Sequence, residues 1–79
     1  MSKSFGEKLK AERKKKSLTS LALSKTCGVS RSYITLIENG KRIPGKKHIR
    51  KIAYALKIAP GVVLNWYLED ITQKIKKHF

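Results

Sequence analysis

Carboxylates are scarce in this sequence. Five Asp and Glu face nineteen Lys and Arg across 79 residues, for a formal net charge of +14. There are no paired carboxylates in a plausible pocket, no glycine-rich phosphate loop and no nucleophile–base arrangement, so enzymatic chemistry is the least expected role. Cysteine occurs once, at Cys27, which rules out an internal disulfide. One Cys and two His, His48 and His78, make no recognisable zinc site, and no metal or other cofactor is expected. No run of about 18 apolar residues exists to span a membrane. The opening MSKSFGEKLK turns polar at once and has no apolar stretch of signal-peptide length, which leads us to expect a cytoplasmic protein.

What is present fits one small domain over 1–79. Hydrophobic residues make up 41%, enough for one core but not two. So small a core leaves little room for a pocket, and no small-molecule ligand is expected. The charge is the loudest signal. A domain this basic attracts a polyanion, either nucleic acid or an anionic membrane.

The chain reads as all-α, without repeats or low-complexity segments. Ser4 and Glu7 form a candidate capping box ahead of a first helix running to about Lys16. Its basic end, Arg13 to Lys16, is either a solvated terminus or a phosphate contact. Residues 18–40, LTSLALSKTCGVSRSYITLIENG, read as two short helices with a tight turn between them. Thr19 caps the first. Leu21, Leu23 and Cys27 supply its apolar contacts, and Ala22 and Ser24 keep its surface small. Gly28 then stops this helix and Ser30 starts the next, which is helix-turn-helix spacing. Ile34 and Ile37 share an inward face. Arg31, Ser32 and Thr35 take the opposite face, with Leu36 beside them to meet either a thymine methyl or a second subunit. The loop NGKRIPG is turn-rich and basic. A fourth helix from about Lys46 to Lys57 buries Ile49, Ile52, Ala53 and Leu56, and His48 reads as surface. Pro60 opens a final segment, one helix or two in tandem. Val62, Val63 and Trp66 are expected inward. Leu68, Ile71, Ile75 and Phe79 are expected partly on a partner chain, making 62–79 a dimerisation segment.

The stretches FGEKLKAERKKKSLT, the paired helices around CGVS, SYITLIENGKR-I-P and IRKIAYALKI resemble, in order, the phage-repressor-like (Cro/CI, xenobiotic-response-element) helix-turn-helix family. The resemblance covers roughly Phe5 to Trp66. It implies a compact five-helix lambda-repressor-like domain with an extended C-terminal helix, acting on double-stranded DNA in the cytoplasm and nucleoid. It implies a salt bridge between Arg13 and Glu38. Thr19 and Ser20 match positions that touch phosphate or a base edge. The second of these is often Gln in the family, and Ser20 is shorter. Ser30, Arg31, Ser32 and Thr35 match groove-facing positions, and Asn39, Gly40 and Lys41 match a loop that grips the backbone. Within the family the sequence is most similar to small controller proteins of restriction–modification systems, with a phage or plasmid repressor nearly as close and an antitoxin third.

These readings combine into one expected mechanism. Arg31, Ser32, Thr35, Ser30 and Ser20 read bases. Thr19, Asn39, Lys41, Arg42 and Lys46 contact phosphate. Tyr33 either offers its hydroxyl to a phosphate or simply packs. A homodimer would place two such helices on a near-palindromic operator. The competing class is a basic RNA-binding protein, which would expose aromatics for stacking, whereas the aromatics here sit in apolar stripes. A membrane-active helix would leave the first four segments unexplained.

Overall fold

Each helix starts where the sequence offers a cap. In the computed structural model, which describes residues 4–77, five helices follow one another: α1 (Phe5–Lys15), α2 (Ser20–Cys27), α3 (Arg31–Glu38), α4 (Lys46–Leu56) and α5 (Pro60–Lys76). Among the described residues there is no strand. At the start of α1 the Ser4 hydroxyl accepts from the Glu7 amide at 3.2 Å, and the Glu7 carboxylate accepts from the Ser4 amide. Thr19 accepts from the Ala22 amide at 3.0 Å, and Ser30 from the Tyr33 amide at 3.1 Å. Pro60 occupies the first turn of α5, which is a single helix.

The first four helices end alike. Ser17, Gly28, Gly40 and Lys57 are left-handed, with φ of 57°, 68°, 74° and 57°. After each, the next amide donates five residues back: Leu18 to Arg13, Val29 to Ser24, Lys41 to Leu36 and Ile58 to Ala53, at 2.9 to 3.1 Å. These bonds satisfy carbonyls that a helix end leaves open.

The core collects one apolar stripe from every helix. Phe5 and Leu9 meet Leu23 and Cys27, Ile34 and Ile37, the α4 row Ile49, Ile52, Ala53 and Leu56, and Val63 of α5. Full burial of each large aliphatic is worth about 1.5–3 kcal/mol. Trp66 packs edge-on against Phe5, with ring centroids 6.2 Å apart. Helix α2 packs on α3 and α4, α4 on α5, and α1 on α3 and α5. Gly6 lets α1 approach α3, because a methyl group there would overlap the carbonyl oxygens of Ile37 and Glu38.

Several expectations are corrected. Leu21 is 46% exposed, and Ser24 takes the buried place beside Leu23 and Cys27. Ser24 satisfies its hydroxyl by donating to the Leu21 carbonyl at 2.7 Å, so a polar side chain can be buried there. Val62 is 43% exposed, because the inward position on α5 belongs to Val63 and the half-buried Trp66 and Tyr67. His48 is half-buried rather than a surface residue. Not every aromatic lies in an apolar stripe, since Tyr54 is 79% exposed. Cys27 is buried as expected; burial pushes its thiol pKa up, with the charge of Lys51 opposing. Such a thiol is a packing group rather than a nucleophile.

Candidate nucleic-acid interface

The second helix of the helix-turn-helix pair presents its polar side to solvent. On α3 the buried residues are Ile34 and Ile37, which turns Arg31, Ser32, Thr35 and Leu36 outward. These four line one shallow surface depression. Arg31 is exposed, so its guanidinium can offer two parallel donors to a guanine edge. The Thr35 hydroxyl donates to the Arg31 carbonyl at 3.2 Å, which leaves its oxygen and methyl group facing out. Ser30 is tied up as a cap by the Tyr33 amide, with its hydroxyl proton still to give. Ser20, at the start of α2, is half-buried, and Thr19 is exposed while capping. The helix-turn-helix therefore gathers Arg31, Ser32, Thr35 and Leu36 around one depression, which Ser20 does not line.

The flanks are cationic. Asn39, Lys41, Arg42 and Lys46 are all exposed between the end of α3 and the first turn of α4. Buried Pro44 pins this loop to the body. The Arg42 guanidinium carbon lies 5.6 Å from the centroid of the Tyr33 ring, a cation–π distance. The Tyr33 hydroxyl lies 3.2 Å from Nδ1 of His48, and the two rings meet edge to face at 5.1 Å. Tyr33 thus both packs and holds a polar partner. His48 escaped the sequence reading because its partner is fifteen residues away and no local pattern links them.

Arg13 and Glu38 are joined at the far end of α3. Arg13 Nε donates to Glu38 Oε2 at 2.7 Å and its Nη2 donates to Oε1 at 3.0 Å, while Nη1 donates to the Leu18 carbonyl at 2.8 Å. The side chains keep only 12% and 7% of their exposure. The hydrogen bond to Glu38 raises the Arg13 pKa above its ordinary value, against desolvation. One side chain thereby ties α1, the α1–α2 turn and the end of α3 together.

On α5, Leu64, Leu68 and Ile75 are 44%, 49% and 53% exposed and Ile71 is half-buried. Their spacing of 4, 3 and 4 puts them in one row along the helix. Phe79, expected in this row, lies outside the described residues, as does His78. Among the described residues, no group of three His, Cys, Asp or Glu could hold a metal ion, and no helix is long and apolar enough to cross a membrane.

Comparison with known proteins agrees with this geometry. The helix-turn-helix family profile matches residues 9–63. The HTH-type transcriptional repressor RghR of Bacillus subtilis is 50% identical over 56 residues, covering 70% of this chain and 42% of its own length. The chain thus spans less than half of that relative. The ImmF control region 10 kDa protein of Bacillus phage phi105 is 36% identical over 61 residues, covering 77% of this chain and 68% of its own. Among solved structures, the restriction–modification controller protein C.AhdI of Aeromonas hydrophila superposes with a TM-score of 0.71 at 36% identity, over 75% of this chain and 89% of that one. The P22 c2 repressor, solved with a synthetic operator, superposes with a TM-score of 0.75 at 29% identity, over 82% and 98%. The chain belongs to the helix-turn-helix family, whose profile covers more than half of it.

Proposed function

We propose that two copies of this chain bind a near-palindromic operator in duplex DNA, each placing α3 in a major groove. The observation that carries this reading is the outward row Arg31, Ser32, Thr35 and Leu36, opposite buried Ile34 and Ile37. Arg31 is the main base reader, through O6 and N7 of a guanine. Ser32 and Thr35 are less selective, Leu36 suits a thymine methyl, and Ser30 and Ser20 contribute at the edge of the groove. Thr19, Tyr33, Asn39, Lys41, Arg42 and Lys46 hold phosphates and set register without reading sequence. Residues 1–79 act as one DNA-binding domain in the cytoplasm, and 62–79 join the two copies through Leu68, Ile71, Ile75 and Phe79. The exposed apolar row on α5 supports that assembly, and a two-fold dimer sets half-sites roughly one helical turn apart, about 34 Å.

The regulatory role is that of a restriction–modification controller or a phage- or plasmid-type repressor. The likeness to C.AhdI and to the P22 c2 repressor supports both. Selection of bound sites from random duplex DNA tests the reading. A near-palindrome with a guanine whose preference disappears in Arg31→Ala is the expected result. Equal loss of binding to specific and random DNA would make Arg31 a backbone contact.

A further inference from the structure

Tyr33 and His48 bridge α3 and α4 through one hydrogen bond, and its direction matters. A phenol has a single proton. While that proton is donated to His48 Nδ1, the phenol oxygen can only accept, and a phosphate oxygen finds no donor there. When Nδ1 itself carries a proton the bond reverses. Nδ1–H then donates to the Tyr33 oxygen 3.2 Å away, and the phenol O–H is released to an outside acceptor.

The placement of the acids supplies a second observation. All five Asp and Glu side chains are engaged elsewhere. Glu7 closes the Ser4 cap, Glu12 lies 4.0 Å from Lys15, Glu38 is held by Arg13, Glu69 pairs with Lys8, and Asp70 lies 3.4 Å from Lys74. The charged groups disposed around the Tyr33–His48 pair are cations: Arg42 from the loop, over the Tyr33 ring, and Lys46, Lys47, Arg50 and Lys51 within one turn of His48 on α4. Among the described residues no carboxylate is left for this pair, so a docked phosphate supplies its anion. Imidazole is the side chain whose charge ordinarily changes between pH 5 and 8.

We propose that docking of a DNA phosphate on Tyr33 is linked to uptake of one proton at His48, which makes His48 the positioning residue for that contact. The proposal rests on the phosphate role assigned to Tyr33 above. In the free protein the Tyr33 O–H donates to Nδ1. In the complex a proton from solvent sits on Nδ1, Nδ1–H donates to the phenol oxygen, and the phenol O–H donates to the phosphate. The new imidazolium charge faces the phosphate charge. Proton uptake on binding makes affinity rise as pH falls and decline as pH rises, by at most about tenfold per pH unit for one linked proton.

Calorimetric titration of a selected duplex near pH 7, in two buffers of different ionisation enthalpy, counts the protons. The wild-type protein should take up a measurable fraction of one proton per protomer. In His48→Gln, whose amide can still donate to Tyr33, that uptake and its pH dependence should disappear. Equal uptake in the two proteins overturns the proposal, as does no uptake in either, which would mean a neutral tautomer suffices. Tyr33→Phe separates the two layers. If it weakens binding while uptake persists, Tyr33 touches phosphate but is not linked to His48. If it changes neither, the phosphate role itself fails. Should His48→Gln not fold, the ring shifts of His48 in wild-type protein, with and without duplex, decide the same question.

Discussion

The backbone of Gly6 lies directly against the carbonyl oxygen of Ile37, with no space for a methyl group. Helix propensity alone would favour Ala at this position by about 1 kcal/mol. The clash is with main-chain atoms of a second helix, which no side-chain rotation relieves. We expect Gly6→Ala to destabilise the domain by about 1–3 kcal/mol, the usual range for overpacking. Urea unfolding checks this, and a more stable variant would contradict the packing described.

The Arg13–Glu38 pair should behave as one unit. Glu38→Gln leaves a nearly buried guanidinium without its anion and should cost about 1.5–3 kcal/mol. Arg13→Met with Glu38→Leu should cost less than the two single changes added together. Strict additivity in the double-mutant cycle would mean that the two side chains do not depend on each other.

Lys41 is exposed in the loop after α3. As a phosphate contact it should act equally on all sequences. Lys41→Ala is expected to lower the slope of log affinity against log salt by about 1. A slope equal to wild type removes it from the backbone contacts.

Assembly is tested on the exposed row of α5. Leu68 is 49% exposed, so Leu68→Asp should leave the folded protomer intact and shift sedimentation to a monomer, with operator affinity falling. A dimer of undiminished strength would place the interface elsewhere.

Lys57 holds a left-handed conformation, φ 57°, without being glycine. The left-handed region costs an ordinary residue roughly 1–2 kcal/mol, partly offset because glycine loses more chain entropy on folding. Lys57→Gly should therefore raise stability by about 0.5–1 kcal/mol. A drop in melting temperature would show that the Lys57 side chain stabilises the fold by a contact of its own.

Local signals carried most of the fold. Thr19, Gly28 and Ser30 each act within four residues, and their spacing defined the helix-turn-helix before any tertiary contact was considered. Signals between neighbours of similar character were sorted less well. Val62 and Val63 differ only in helical phase, and the start of α5 decides between them. Leu21 and Ser24 exchanged places because a two-turn helix with small residues has little amphipathic contrast. Ser17 and Lys57 end helices in the left-handed region without the glycine that would announce it. Long-range pairs were illegible from pattern alone. Arg13 and Glu38 are 25 residues apart, and only the family resemblance joined them. Nothing joined Tyr33 to His48, or set Gly6 against Ile37, since both depend on how helices pack.

The contacts described between α3 and α1 lie at its C-terminal end, at Ile37 and Glu38, while Tyr33, bonded to His48 of α4, holds the end nearer Arg31. In mechanical language the reading helix is a beam resting on two supports that belong to different helices. Eight residues at 1.5 Å each give a span of about 12 Å, so a tilt of about 5° about one support moves the far end by about 1 Å. That displacement is enough to spoil a two-point hydrogen bond to a base. Substitutions on α1 that never approach DNA can thus alter which sequence is preferred, and the stiffness of both supports becomes a determinant of reading accuracy at Arg31.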